Sequence, residues 1–199
     1  MSTVRFGVLV SGTGSNLQAI LDAIAAGSLA ASVSCVISNR PEVKALERAR
    51  AANVPALTIP HRDFPTREAF DAALVRALEE AGVDWIVLAG FMRVLTPVFL
   101  NAFAGRIINI HPALLPAFPG VNAAKQAFDY GVKITGCTVH FVDGGVDTGK
   151  IIAQQAVPVE PKDDLAALEA RIHRAEHQLF VQVLRDIAAG HVVPFVSGG

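Results

Sequence analysis

RFGVLVSGTGSNLQAILDAIAAG, residues 5–27, is the stretch whose reading decides the fold. Arg5–Ser11 is an apolar run bounded by glycine, the pattern of a strand buried on both faces. Ser15–Ala26 sets Leu17, Ile20, Leu21 and Ile24 at helical spacing, and Gly27 follows as a stop signal. A strand that turns through glycines directly into a helix is the first unit of an α/β fold. The alternation continues outward. Ser32–Ile37 predicts a second strand and Glu42–Ala52 a helix opened by Pro41. Ala56–Ile59 is a short third strand, and Thr66–Ala81 a long amphipathic helix closed by Gly82. Trp85–Ala89 is the fourth strand, Thr96-Pro97 opens a short helix to about Phe103, and Arg106–Ile110 is the fifth strand. Repeated strand–helix units predict a parallel sheet with right-handed crossovers and helices on both faces.

After Ile110 the pattern changes. His111–Gly120 (HPALLPAFPG) holds three prolines in ten residues and reads as a loop. Val121–Tyr130 predicts a helix closed by Gly131. Thr135–Val142 and Lys150–Val159 are β runs joined by DGGVDTG, too short for a crossover helix, so they pair as an antiparallel hairpin. Asp164–Ala189 predicts a long terminal helix, and the tail from Gly190 to Ser197-Gly198-Gly199 is expected to fray. The fold class is therefore α/β: a Rossmann-like, mostly parallel sheet with a C-terminal hairpin and long helix. The 199 residues suit a single domain, in which residues 1–110 and 111–199 form two functional halves.

Composition narrows the chemistry. Hydrophobic residues make up 52% and charged ones 18%, enough for a core and too apolar for disorder. Seventeen basic residues against eighteen acidic ones leave a net charge of −1, which argues against nucleic-acid binding and a polybasic membrane anchor. The longest markedly apolar stretch, Trp85–Met92, falls far short of the ~20 residues of a membrane helix. No signal-like segment precedes the first strand, so a cytoplasmic setting is expected. Cys35 and Cys137 lie in strand-like runs and read as buried thiols, not as a zinc cage.

Several places carry chemistry. Ser11-Gly-Thr-Gly-Ser-Asn16 joins the first strand to the first helix, where free N–H groups and the positive helix end bind phosphate. It lacks the Lys of a Walker loop and the third glycine of the dinucleotide fingerprint, so a phosphate monoester fits better than a dinucleotide. Asn109-Ile-His111-Pro stands at the carboxyl end of the fifth strand, where open sheets place their sites. Alternation puts Asn109 and His111 on one side: a neutral donor for an oxyanion beside a side chain tuned for proton transfer. Asp143 and Asp147 sit in the glycine-rich hairpin turn. Asp147 beside His111 would orient the ring and raise its pKa, whereas Asp143 reads equally well as a solvated turn residue. Arg93, directly after Gly90-Phe-Met92, faces the same cleft; Arg67 opens a helix and reads equally as a surface arginine. His173-Arg-Ala-Glu176-His177 matches the H-x-x-E-H string, but no third zinc ligand is visible, and an exposed charged face or a substrate-contacting Glu176 are the other readings. His61, His140 and His191 have no evident partners.

In one order, VLVSGTGSNLQAI, ISNR, TREAFD, LAGFMRVLTPVFL, IINIHPALLPAFPG, HFVDGGVDTGKIIAQ and AEH resemble the phosphoribosylglycinamide (glycinamide ribonucleotide) formyltransferases, within the folate-dependent formyltransferases. The resemblance spans nearly the whole chain. It implies formyl transfer from 10-formyltetrahydrofolate, as co-substrate, to glycinamide ribonucleotide in purine biosynthesis, with no metal. It implies a catalytic Asn109–His111–Asp147 triad. Thr13, Gly14, Ser15, Asn16, Met92 and Glu176 would contact the ribonucleotide. Arg67, Arg93, Val94, Leu95, Asn109, Asp143, Val146 and Asp147 would contact the folate. The family often carries histidines after FPG, where this chain has Val121-Asn-Ala-Ala124. A monomer or a homodimer fits. The alternatives are a formyltetrahydrofolate hydrolase, another folate-dependent formyltransferase such as the methionyl-tRNA type, and a non-catalytic nucleotide-binding module with Arg40 on a 2′-phosphate.

Overall fold

The strand-like runs assemble into one seven-stranded sheet in the computed structural model, which describes residues 3–195. The tail expected to fray from Gly190 is instead held as far as Phe195, whose N–H donates to the Gly105 carbonyl at 3.0 Å and whose ring packs on Phe141; residues 196–199 lie outside the described residues. In chain order the elements are β1 (Val4–Val10), α1 (Ser15–Ala25), β2 (Ala31–Ser38), α2 (Lys44–Ala51), β3 (Ala56–Thr58) and α3 (Arg67–Glu80). Then come β4 (Trp85–Leu88), α4 (Pro97–Ala102), β5 (Ile107–His111), α5 (Ala123–Tyr130), β6 (Ile134–Phe141), β7 (Ile151–Pro158) and α6 (Leu165–Ala188). The sheet order is β3-β2-β1-β4-β5-β6-β7. Every pair from β3 to β5 is parallel; β6 and β7 run antiparallel as a hairpin. The chain leaves β1 toward β2 and β3, then returns to β4 on the other side. The carboxyl ends of β1 and β4 thus diverge at a topological switch point, where open α/β sheets keep their crevice.

Strand periodicity divides the core. Phe6, Val8 and Val10 face α1, α2 and the second half of α6; Leu9, Cys35 and Ile37 face α3 and α4 through Phe70, Leu74, Leu78 and Phe99. A third cluster, Cys137 and Val157 with Leu168, Ile172 and Ala175, seats the first half of α6 on the hairpin. Both cysteines are buried and free, and burial pushes their thiols up to about 11 for Cys35 and about 12 for Cys137. The Thr66 hydroxyl accepts the Ala69 N–H at 3.1 Å to start α3, and Asp164 accepts the Ala167 N–H at 2.8 Å to start α6. No helix among the described residues is long and apolar enough to cross a membrane.

Two helix starts differ from expectation, each for a tertiary reason. The α2 helix begins at Lys44, not Glu42: Glu42 is left-handed (φ 53°) and Pro41 lies outside the helix. The Ala45 N–H instead donates to the Gly12 carbonyl at 3.2 Å, so docking on the glycine turn fixes the start. Similarly α5 begins at Ala123 because Asn122 is left-handed (φ 56°) where the proline loop re-enters regular structure. A short 3-10 turn, His61–Asp63, was not foreseen.

Candidate active site

The glycine turn is built for a close approach. Gly14 caps α1 with φ 70°, and a Cβ there would lie 2.6 Å from the Cβ of Ala45. Arg48 Nε donates to the Thr13 carbonyl at 2.9 Å and holds the turn open. Among the described residues, the N–H groups of Thr13 and Gly14 donate to no protein acceptor, and those of Ser15 and Asn16 belong to the unpaired first turn of α1. No acidic residue stands in that turn. The result is a cluster of unpaired N–H groups at a helix start, suited to an oxyanion.

Asn16 reaches from this turn to α6, where its Nδ2 donates to Glu176 Oε2 at 3.3 Å. Glu176 is 4% exposed, and burial raises its pKa despite His173 and the Asn16 bond. Asn16 Oδ1 is buried without a partner. His173 is exposed, the Nε2 of His177 is buried and unpaired, and among the described residues no three metal-ligating side chains converge there or elsewhere.

Ser11 links the turn to the second part of the site. Its hydroxyl accepts the Met92 N–H at 2.8 Å and donates to Asn39 at 2.6 Å. Beyond Met92 opens a cavity of about 400 Å³. Met92, Arg93, Val94 and Leu95 form one wall; Asn109 and His111 stand at the end of β5; Asp143, Val146 and Asp147 come from the hairpin turn. A depression of about 510 Å³ between α1 and α6 is more open, and its polar wall is three glutamines, His177 and Arg185. Arg185 is already bonded to Ser28, so that depression offers little chemistry.

Of the three residues expected to form a triad, His111 and Asp147 meet directly, and Asn109 joins them through His140. His111 Nδ1 lies 3.3 Å from Asp147 Oδ2, and its Nε2 lies 2.8 Å from the Phe118 carbonyl. Asp147 is left-handed (φ 55°) and accepts the Gly120 N–H at 2.8 Å, so the proline loop and the hairpin turn are pinned together at this carboxylate. The sequence reading missed a fourth member, His140, which is 2% exposed. Its Nδ1 lies 2.8 Å from the Phe141 carbonyl, and its Nε2 lies 3.2 Å from Asn109 Nδ2. The same Nε2 lies 3.6 Å from Asp147 Oδ1. The signal that could have found it is register: β6 pairs antiparallel with β5 so that His140 sits opposite Asn109.

The electrostatics correct one expectation. Burial lowers the pKa of His111 and outweighs the Phe118 carbonyl and the Asp147 carboxylate, which pull upward. The imidazole is therefore held neutral, not protonated. Burial also works against the Asp147 carboxylate, but His140, the Gly120 N–H and His111 together hold it below its ordinary range. A neutral His111 has one ring proton and two facing acceptors, so one of its nitrogens always turns a lone pair toward an oxygen. The pair with Asp147 is one proton short of full satisfaction.

Other expected residues fall into place differently. Asp143 spends Oδ1 on the Gly145 N–H (3.0 Å) and the Thr148 hydroxyl (2.7 Å), shaping the hairpin turn that it also lines. Arg67 is not on the cavity wall; it stands behind it and donates to the Val94 carbonyl at 2.7 Å. Thr13, Gly14 and Ser15 stand in the glycine turn and also do not line the cavity.

This arrangement has relatives. Residues 4–184 match the formyl transferase family. The chain is 54% identical over 188 residues to the trifunctional purine biosynthetic protein adenosine-3 of Drosophila melanogaster, covering 94% of this chain and 14% of that protein. It is 42% identical to the phosphoribosylglycinamide formyltransferase of Bacillus subtilis, covering 92% of this chain and 94% of that one. The crystal structure of glycinamide ribonucleotide transformylase 1 from Symbiobacterium toebii superposes with a TM-score of 0.94 at 49% identity, over 98% of this chain and 92% of that one. A match that takes in the glycine turn, the β5 end and the hairpin alike leaves one conclusion: the chain belongs to the formyl transferase family.

Proposed function

We propose that this chain transfers a formyl group from 10-formyltetrahydrofolate to the amine of glycinamide ribonucleotide, as a cytoplasmic enzyme of purine biosynthesis. The observation that carries the reading is the cluster of half-buried Asn109 and Asp147 with buried His111 and His140 on the wall of a cavity. The Ser11–Met92 bond joins that cavity to a phosphate-suited turn. In this reading the chain is one domain. Its first half supplies Thr13, Gly14, Ser15 and Asn16 for the ribonucleotide phosphate, with Met92 and Glu176 beside the sugar. The folate lies along Arg93, Val94, Leu95, Asp143 and Val146, with Arg67 supporting that wall.

The chemistry follows from the protonation states. The substrate amine attacks the formyl carbon on N10, and negative charge develops on the formyl oxygen. Asn109, beside His140, can donate an amide N–H to that oxygen; removing such a donor typically costs ~10²–10³ in turnover. The attacking nitrogen becomes cationic and must lose a proton. The His111–Asp147 pair is built to receive one, since a proton between them satisfies both groups. The resulting imidazolium, stabilised by the Asp147 carboxylate, can then deliver the proton to departing N10. Holding two substrates in one cleft supplies much of the rest.

The test is an assay of purified protein with glycinamide ribonucleotide and 10-formyltetrahydrofolate, following tetrahydrofolate and formylated ribonucleotide. Both products should appear in equal amounts and only when both substrates are present. Formate released without the amine acceptor would replace this reading with a hydrolase.

A further inference from the structure

The cavity wall from Phe91 to Thr96 has no secondary structure of its own, lying between the end of β4 and the start of α4. Its backbone groups must find partners elsewhere, and whatever supplies them sets its shape. Three successive alternate residues are held. The Met92 N–H donates to Ser11, the Val94 carbonyl accepts from Arg67, and the Thr96 N–H donates to Asp71 Oδ2 at 2.6 Å. Between them the Arg93 guanidinium lies 5.7 Å from the centre of the Phe70 ring. Arg67, Phe70 and Asp71 are the first two turns of α3, and none of them lines the cavity.

Asp71 is the unusual member. It is 2% exposed, in a helix face otherwise given to Phe70, Leu74 and Leu78. A carboxylate costs more to bury there than any apolar residue of its size, and it persists only where its bonds matter. Its one hydrogen bond among the described residues is to the Thr96 amide, itself on a residue 3% exposed. A short bond to a carboxylate is stiffer and stronger than one to a neutral acceptor. Thr96 is the hinge where the wall passes into α4. We propose that Asp71 is a positioning residue for the folate: through the Thr96 amide it fixes the wall formed by Arg93–Leu95, while Met92 is tied separately to Ser11, and it touches neither substrate. The inference rests on the folate lying in this cavity, as in the function proposed above. Because the glycine turn and Glu176 are held by other elements, ribonucleotide binding should not depend on Asp71.

The test measures KM for each substrate, the affinity for tetrahydrofolate by calorimetry, and amide hydrogen exchange at Thr96 in wild type, Asp71→Ala and Asp71→Asn. Asp71→Ala should raise KM for 10-formyltetrahydrofolate and the tetrahydrofolate Kd about tenfold or more, the loss of one charge-assisted bond. KM for the ribonucleotide should stay within about twofold, and Thr96 should lose protection. Asp71→Asn keeps an oxygen that can accept the Thr96 N–H, so it should recover most of the folate affinity. Should Asp71→Ala not fold, Asp71→Asn carries the test alone, with a rise of a few-fold expected in the folate constants only. Equal changes in both KM values, or unchanged folate constants with Thr96 protection lost, would overturn the proposal. A wild type that binds tetrahydrofolate but transfers no formyl group would instead remove the proposed function, leaving the calorimetric comparison to decide on Asp71.

Discussion

Asp147, half-buried on the cavity wall, and Glu176, buried in α6, are two carboxylates whose surroundings drive them in opposite directions. Asp147 lies in a turn, faces two histidines and accepts a backbone N–H, and it is held below the ordinary carboxylate range. Glu176 sits mid-helix, its only side-chain bond among the described residues is to a neutral amide, and its pKa is raised. Burial raises both; the difference is the number of donors that oppose it. Such divergence separates roles. The carboxylate held below its ordinary range can stabilise a passing proton, while one whose surroundings disfavour charge is suited to hydrogen-bond a polyol.

The contrast breaks most visibly at His111. His111→Ala removes the proton acceptor and should lower kcat by ~10³ or more, while KM for the ribonucleotide changes by less than about threefold. Near-normal turnover would mean that the proton leaves by another route. Asp147→Asn should cost ~10²: the carboxamide keeps the Gly120 bond but cannot stabilise an imidazolium. If Asp147 acted only as a structural pin, this variant would retain activity and the comparison with Glu176 would lose its meaning.

Glu176→Gln sharpens the same contrast from the other end. A neutral amide suits a buried site that already disfavours charge. The variant should gain on the order of 1 kcal/mol at pH 7, a rise of about 2–4 °C in Tm for a chain of this size. The ribonucleotide KM should rise about tenfold while kcat is nearly kept, because a bond to the sugar is weakened and the proton path is untouched. A fall in Tm would show that Glu176 is better satisfied than its single bond suggests.

These groups differ in how far the sequence exposed them. The strand–turn–helix at residues 5–27 needed only local spacing, and Asn109 with His111 needed only alternation beyond a strand end. His140 could not be read that way. It lies in a different strand, and its place opposite Asn109 is a fact of pairing register across a proline loop, invisible until β5 and β6 are laid side by side. The protonation of His111 was misjudged for a related reason. A neighbouring acid could be inferred from a motif, but the burial that outweighs it depends on how the loop and hairpin close over the ring. Asp71 shows the limit most plainly: on an amphipathic helix it reads as a solvent-facing acid, and only the path of the 91–96 segment puts it inside.

The smallest expected effect is the most diagnostic, because two groups oppose each other in it. His111 has a lowered folded pKa, so its contribution to stability is present above its unfolded value of ~6.5 and is lost as pH falls through the folded value. Asp147, also lowered, contributes above its unfolded value of ~3.9 and loses that contribution at still more acid pH. Glu176 is raised: its contribution is complete below its unfolded value of ~4.3 and is lost as pH rises through its folded value. As pH falls from 8 to 5, the Glu176 contribution therefore opposes the losses from His111 and from His177, whose pKa burial also lowers. Urea midpoints measured across this range in two variants separate them. In Glu176→Gln only the acid loss remains, so stability should fall steadily below pH ~6.5. In His111→Gln the Glu176 gain is opposed only by His177, whose pKa burial also lowers, so stability should fall less steeply toward pH 5. The slope in Glu176→Gln should be the steeper of the two. Parallel slopes would mean that one carboxyl is not perturbed as its surroundings require, and that the two carboxylates are electrostatically alike.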